Sequence, residues 1–414
     1  MKMKKIDVLL FQILFVALGG AIMARVAGLN GLSSLFFTVT FPVTGLLWLC
    51  GLRNGFDKTD WIMLAAAAVA LINVLINVRI HNAVFGLSYF KKWVMFTMTL
   101  MLLQASNKMR AGHRLREFLH CTVDVVAIYL LFAHMLFQGQ MHTLNNQHTK
   151  YAAFNFSNPN LTAIFFTCIY MLEVIRTVTV RGLWDKVIHG ELAVMMGIFV
   201  IDTTSRNGLM VMLLFTALAG CVLLRGWIRD TFHITVPNRI SRPAAGVISA
   251  IPAAFALVYM ALINASWVEK LFGFLVSEGK KLNSRVKEWV PALKAIREYP
   301  LFGDYYKVTG QSGSGQMHNT HMDIAASYGV PVLILVCILL TVYIYQKGKR
   351  YRKQSDQLYM LGFICTVLLG IFESVMFSGG LGAYIFMCAF LLLSRTAGEG
   401  RTDNQYDDKK TLTE

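Results

Sequence analysis

The chain has 414 residues, of which 56% are apolar and only 15% are charged, and its mean hydropathy is +0.53. Soluble domains are about half apolar and about a quarter charged, so this composition excludes an ordinary soluble enzyme and predicts a helical membrane protein. A net charge of +16 would suggest nucleic-acid binding in a soluble protein, but here the basic residues are spread over many loops, which predicts no nucleic-acid partner.

Twelve apolar runs predict membrane spans, because roughly 20 helical residues cross the hydrocarbon core. The predicted spans cover approximately residues 7–28, 35–52, 61–78, 88–106, 117–138, 159–178, 190–204, 206–224, 244–265, 319–346, 357–377 and 380–395. The basic, then apolar N-terminus also resembles a signal peptide, but the length of the run favours an uncleaved first span. We expect one transmembrane domain over residues 1–395 and a disordered cytoplasmic tail over residues 396–414.

The distribution of Lys and Arg predicts the orientation in the membrane, since basic loops stay on the cytoplasmic side. With the N-terminus inside and the spans alternating, 25 Lys and Arg lie inside and 14 lie outside. Eight of those 14 fall in one large outer loop, residues 266–318, and long loops cross the membrane despite their charge. Both termini are therefore predicted to be cytoplasmic. The seven cysteines form no CxxC pair and lie in apolar runs, so they are interpreted as core residues.

The large outer loop contains a predicted amphipathic helix. Val286, Val290, Leu293 and Ile296 recur at helical spacing and form one apolar stripe, and Pro300 is a predicted stop. We expect this helix to lie on the membrane face or to pack on the bundle.

Several basic residues are predicted on the outer side, where the charge rule disfavours them, which indicates an anionic ligand. Arg206 is the sharpest case, because it lies between two apolar runs with almost no loop, where a guanidinium forks well onto phosphate oxygens. The structural alternative for Arg206 is a side chain that snorkels to the membrane surface or pairs with Asp202. For Arg285 the structural alternative is a solvated surface charge. The candidates on this side are Arg25, Lys91, Lys92, Arg206 and Arg285.

Polar residues at the outer ends of three spans complete the candidate site. An imidazole exchanges a proton near neutral pH, so His318 is a candidate general base that would deprotonate a hydroxyl. The alternative is a histidine at the membrane interface whose hydrogen bonds are made by water or backbone. Acidic residues inside spans are functional suspects, and Glu373 lies near this surface. No metal site is predicted here, since His318 and His321 supply only two ligands. Further candidates for substrate binding are Asn319, His321, Asn158, Asn160 and Glu373.

Four segments in register resemble a known family. His318 and Asn319 are followed after nine residues by Gly329 and then Val332, and the preceding segment is WVPALKAIREYPLFGDY. The segments TSRNGLMVML and FSNPNLTA lie upstream in the same order. This pattern resembles the bacterial O-antigen ligases and polymerases over residues 150–335, although Val332 and the Asp304-Tyr305 pair depart from it.

The resemblance implies a metal-independent, inverting glycosyltransferase of the membrane-embedded C type (GT-C) that needs no cofactor. It would act at the outer face of the bacterial cytoplasmic membrane on a glycan carried by undecaprenyl pyrophosphate. Arg206 and Arg285 would hold the pyrophosphate, and His318 would take the proton from the attacking sugar hydroxyl. A chain-length regulator is a candidate partner.

Three functions remain open from the sequence. A polymerase, which is favoured, would join O-antigen, capsular or exopolysaccharide repeat units, whereas a ligase would transfer the glycan to lipid A–core or to a protein. A transporter or flippase without chemistry is the alternative from another class. Transporters built from two halves place their long loop centrally and inside, whereas the long loop here is predicted outside, after span nine.

Overall fold

The computed structural model describes residues 3–80, 86–109, 111–136, 142–144, 150–152, 154, 156, 159–232, 240–262, 286–304, 317–348, 354–375 and 383–394. These residues form fourteen helices and one small antiparallel hairpin, which confirms the predicted all-α class. The helices are α1 (Lys5–Val26), α2 (Asn30–Leu52), α3 (Lys58–Ile80), α4 (Gly86–Lys108), α5 (His113–Leu136), α6 (Pro159–Thr179), α7 (Leu183–Asp202), α8 (Arg206–Phe232), α9 (Arg242–Leu262), α10 (Val286–Glu298), α11 (Thr320–Tyr328), α12 (Val330–Gly348), α13 (Gln354–Leu369) and α14 (Ala383–Leu393). The hairpin, which the sequence analysis does not predict, pairs β1 (His142–Leu144) with β2 (Lys150–Ala152).

Eight of the described helices are long and apolar enough to cross a membrane: α1, α2, α3, α5, α6, α8, α9 and α12. The protein is therefore a multi-pass helical membrane protein associated with a lipid bilayer. The other predicted spans coincide with α4, α7, α13 and α14, so the total of twelve stays a prediction. All seven cysteines are free; Cys121 and Cys221 are exposed rather than in the core.

Hydrogen bonds between helix ends sort those ends onto two sides of the bundle. One set joins α1 to the end of α2, the end of α4 to the end of α12, and the start of α5 to the end of α14 (Arg53 to Asp7, Asn107 to Gln346, Arg116 to Leu393). On the other side, the side chain of Asn207 at the start of α8 donates to the Leu369 carbonyl at the end of α13. This pairing agrees with alternating spans, while the side that faces the cytoplasm stays a prediction.

The predicted span over residues 319–346 is wrong as a single helix, since the chain divides into α11 and α12 at Gly329. Gly329 has a φ of +87°, and a Cβ there would overlap the Leu301 carbonyl, so glycine permits both the turn and the close approach. Pro331 then lies in the first turn of α12, where proline is compatible with a helix. The break makes α11 a separate short helix at one end of the bundle.

Span eleven, predicted over residues 357–377, is also wrong at its end. Helix α13 ends at Leu369, and residues 370–375 form a turn that contains the fully buried Glu373. A Cβ on Gly370 would lie 2.9 Å from Thr320 Oγ1, so the turn passes very close to the start of α11. Glu373 therefore lies in a turn that packs on α11, and not inside a helical span.

Helix α10 confirms the predicted amphipathic helix, but its buried face is only partly the predicted stripe: Leu293 and Ile296 are partly buried in it. Val290, in the predicted apolar stripe, is 52% exposed, whereas Trp289, Ala292 and Ala295 are buried. The Trp289 indole decides the orientation, because its Nε1 donates to the Met317 carbonyl oxygen at 2.8 Å and its ring fills an aromatic cluster. Helix α10 is thereby fixed to the segment that leads into α11.

Candidate functional site

The candidate site lies where the start of α6, the start of α11 and the turn after α13 meet. His318 Nδ1 lies 2.9 Å from Glu373 Oε2, and Asn160 Nδ2 donates to Glu373 Oε1 at 2.6 Å. The Glu373 side chain is fully buried, and that of His318 is 11% exposed. The fold thus brings together three predicted site residues that are far apart in the sequence.

The backbone at His318 is held in an uncommon conformation. Its φ is +47°, in the left-handed region, which costs a non-glycine residue about 1–3 kcal/mol and persists only where neighbouring contacts impose it. The preceding residue is held because the Trp289 indole donates to the Met317 carbonyl. The following residue is held because the Asn319 side chain accepts from the Met322 N–H and caps α11. The imidazole is therefore presented by a turn that is clamped at both ends.

Backbone contacts join the start of α11 directly to the turn that carries Glu373. Thr320 N–H donates to the Gly370 carbonyl at 2.9 Å, and Thr320 Oγ1 donates to the Glu373 carbonyl at 2.9 Å. The same hydroxyl accepts from the Val375 N–H at 2.9 Å. These bonds fix the spacing between the two segments, and so the relative position of His318 and Glu373.

Asn319 and His321, both predicted to bind substrate, are instead buried and bonded to helix α9. Pro252 interrupts the hydrogen-bond ladder of α9, and carbonyl groups near this point accept bonds from α11. Asn319 Nδ2 donates to the Pro252 carbonyl at 2.9 Å, and His321 Nε2 donates to the Ser249 carbonyl at 2.8 Å. Both contacts position α11 rather than present a polar group to a ligand.

The contact with Glu373 determines which nitrogen of His318 is basic. When Glu373 is ionised its carboxylate only accepts hydrogen bonds, so in that state His318 Nδ1 carries the proton and donates it to Glu373. In that tautomer Nε2 is the nitrogen without a proton, and so the basic one. A buried carboxylate that orients an imidazole and stabilises its protonated form is the arrangement of a general base assisted by a second residue.

Arg206 lies at the same end of the bundle as His318. Thr204 has a φ of +57°, and this left-handed turn ends α7 and begins α8 at Arg206. The next residue, Asn207, bonds the carbonyl of Leu369, shortly before the Glu373 turn. A Cβ on Gly208 would lie 2.7 Å from Ala163 Cβ, so α8 approaches α6 closely one turn below Asn160. The half-buried Arg206 is anchored to the two elements that carry Glu373 and Asn160.

The other predicted basic residues have different surroundings. Lys92 Nζ lies 3.0 Å from Asp323 Oδ1 in a nearly buried ion pair between α4 and α11, and this pair was not predicted. Arg25 donates to Asn30 Oδ1 at the turn between α1 and α2, and Lys91 is exposed. The predicted residues Arg285 and Asn158 lie outside the described residues.

An aromatic cluster that the sequence analysis missed borders the candidate site. The centroids of Trp289 and Phe372 are 6.3 Å apart, those of Tyr259 and Trp289 are 5.4 Å apart, and those of Phe255 and Phe372 are 5.1 Å apart. Phe372 directly precedes Glu373. The i, i+4 spacing of Phe255 and Tyr259 on α9 was the available signal. The cluster supports the turn from its apolar side.

No family model matches the chain, and no curated protein matches it either. Membership in the family that the four segments resemble therefore stays a prediction. The geometry of the site stands independently of that resemblance. Within the described part of the chain, one group of His and acidic side chains has the spacing of a metal site, and it lies away from His318, at Asp124, Glu173 and His189.

Proposed function

We propose that this protein is a metal-independent, inverting glycosyltransferase of the GT-C type. It uses a glycan linked to undecaprenyl pyrophosphate and acts at the outer face of the bacterial cytoplasmic membrane. The observation that best supports the proposal is the contact of 2.9 Å between His318 Nδ1 and Glu373 Oε2, because a buried carboxylate there orients the imidazole and makes Nε2 the candidate base. The four sequence segments that resemble O-antigen polymerases and ligases supply the substrate class.

In the proposed reaction, His318 Nε2 removes the proton from a sugar hydroxyl of the acceptor. The oxygen of that hydroxyl forms a bond to the anomeric carbon of the donor as the bond from that carbon to the pyrophosphate oxygen breaks. Negative charge gathers on the departing undecaprenyl pyrophosphate, and Arg206, together with Arg285, stabilises it in the way a divalent metal would. Glu373 stabilises the imidazolium, which then releases the proton to water.

Polymerase and ligase differ only in the acceptor. A polymerase would extend the glycan with a second lipid-linked glycan, and we favour this function because of the segment that includes Asn160 and because of the modest outer loop. Asn160 Nδ2 donates to Glu373, which fixes this segment beside the proposed base. A ligase would use lipid A–core or a protein as the acceptor, and a transporter would make no new glycosidic bond.

The proposed function can be tested with the purified full chain in lipid nanodiscs, supplied with a lipid-linked oligosaccharide and a chelator. We expect glycans of two or more repeat units with inverted linkages, detected by mass spectrometry and NMR. Addition of lipid A–core tests the ligase alternative, since the product would then appear on that acceptor. No new glycosidic bond with any acceptor, from a folded protein, would contradict the proposal, as would activity that requires added Mg²⁺ or Mn²⁺.

Replacing Arg206 with Lys should lower kcat/KM for the lipid-linked donor by roughly 10- to 100-fold, because lysine keeps the charge but loses the fork that pairs two phosphate oxygens. The matched control is Arg79→Lys, at an exposed position at the end of α3. Steady-state kinetics over a range of donor concentrations measure the effect. Equal activity of both variants would argue against bidentate binding of pyrophosphate by Arg206.

A further inference from the structure

A second polar cluster joins α5, α6 and α7. It consists of Asp124, Glu173 and His189, whose ligand atoms all lie within 4.8 Å of one another. His189 Nδ1 is 2.9 Å from Glu173 Oε2 and 3.7 Å from Asp124 Oδ1. Three helices that are consecutive in the chain thus each contribute one potential metal ligand to the same point.

The carboxylates of this cluster are incompletely satisfied. Asp124 Oδ1 and Glu173 Oε1 are buried and have no hydrogen-bond partner among the described residues. The Glu173 side chain is 1% exposed, and the shared hydrogen bond with His189 uses only one of its oxygens. A buried carboxylate oxygen without a partner is costly, so this arrangement favours a positive charge between the carboxyl groups, either a metal ion or a shared proton.

The nearby basic residue does not supply that charge. Arg176, one turn after Glu173, donates to both carboxylate oxygens of Glu117, at 2.9 Å and 2.6 Å. This bidentate pair balances its own charges. Asp124 and Glu173 together carry two negative charges when ionised, and a neutral His189 leaves both unbalanced. A divalent cation would neutralise the cluster and satisfy the free oxygens.

We propose that Asp124, Glu173 and His189 bind a divalent transition-metal ion, with Zn²⁺ as the best match. Imidazole and carboxylate ligands together suit Zn²⁺ and its neighbours in the first transition row. Ligands held 2.0–2.1 Å from a tetrahedral ion are separated by roughly 3.3 Å, and the two measured separations from His189 Nδ1, 2.9 Å and 3.7 Å, bracket that value. The remaining separation, between Asp124 and Glu173, is at most 4.8 Å, so all three side chains can reach one ion by adjusting their rotamers.

The proposed ion is structural and independent of the proposed glycosyl transfer. Glu173 lies about 20 Å along α6 from Asn160, at 1.5 Å per helical residue, so the ion would not contact the donor at His318. It would hold α5, α6 and α7 together at the opposite end of α6 from the candidate site. The competing interpretation is a proton shared between the two carboxyl groups.

The test uses the full chain in detergent, stripped of metal and titrated with Zn²⁺ or Co²⁺. We expect one ion per chain by elemental analysis, a visible spectrum of Co²⁺ with one nitrogen and oxygen ligands, and a higher melting temperature with Zn²⁺. Asp124→Asn, Glu173→Gln and His189→Gln should each weaken binding at least about 10-fold. Glu191→Gln and His113→Gln, at exposed positions on α7 and α5, are the matched controls and should bind as the wild type does.

The wild-type measurements decide the proposal even where a variant fails to fold. Absence of a bound ion and of a Zn²⁺-dependent melting shift in the wild type would overturn it in favour of the shared proton. Unchanged binding in all three folded cluster variants would also overturn it, since the ion would then lie elsewhere. Because each readout is metal binding and not glycan transfer, the result is independent of the proposed function.

Discussion

Replacing His318 with Asn should lower the rate of glycan transfer by roughly 10²- to 10⁴-fold, the usual contribution of a general base. Asparagine is the informative substitution because it tolerates the left-handed backbone that His318 adopts, with a φ of +47°. The amide can keep a hydrogen bond to Glu373 but cannot take up a proton. The loss then reflects the missing base rather than a disturbed turn.

The His318→Asn effect is measured as product formed per unit time at saturating donor, with protein level and melting temperature as controls. His113→Ala removes an imidazole that is 83% exposed at the start of α5 and should retain wild-type activity. His318→Ala would add the backbone strain of an alanine at positive φ and should therefore also lower stability. Near-normal transfer by a folded His318→Asn protein would exclude His318 as the base.

Replacing Glu373 with Gln should lower kcat by roughly 10²- to 10⁴-fold while the KM for the donor stays within about two-fold. The Gln amide nitrogen would donate to His318 Nδ1, and its oxygen would still accept from Asn160. The proton of the imidazole would then lie on Nε2, so the nitrogen that faces the acceptor could no longer act as a base. Glu373 is in this view a positioning residue, since it acts through His318.

The division between kcat and KM separates this role from a general loss of structure. A substitution that merely loosened the turn after α13 would raise the KM for the donor and lower the melting temperature as well. Glu298→Gln, at an exposed position at the end of α10, also replaces a carboxylate by an amide and serves as the control. A folded Glu373→Gln protein with unchanged kcat would show that the contact with His318 is not used in catalysis.

Local sequence features predicted the helices well because helix formation and membrane insertion depend on consecutive residues. The start of α6 at Pro159 and the end of α10 just before Pro300 both follow from the fixed φ of proline and its effect on the preceding residue. The amphipathic α10 was predicted from its spacing, but its buried face was predicted only in part. The Trp289 indole, bonded to the Met317 carbonyl, outweighed the aliphatic stripe that includes the exposed Val290.

The sequence analysis named three residues of the candidate site but did not predict how they pair. His318, Asn160 and Glu373 were all identified from their chemistry at predicted span ends. The bond between His318 and Glu373 joins residues 55 positions apart, and no local pattern specifies which buried groups meet across that distance. The same holds for the ion pair between Lys92 and Asp323, which are 231 positions apart. Lys92 was predicted to bind an anionic ligand, but in the structure its ammonium group contacts Asp323.

The sequence by itself determined that this protein is a multi-pass helical membrane protein and which polar residues lie at the ends of its helices. Hydropathy is sufficient for that, because each span buries its own backbone hydrogen bonds. Only the tertiary structure decided that the chain breaks at Gly329, that α13 stops before Glu373, and that Glu373 orients His318. Those outcomes depend on the close approach of segments that are distant in the sequence. Gly329 packs against the Leu301 carbonyl, and the buried Glu373 contacts His318, and only the packed fold brings these groups together.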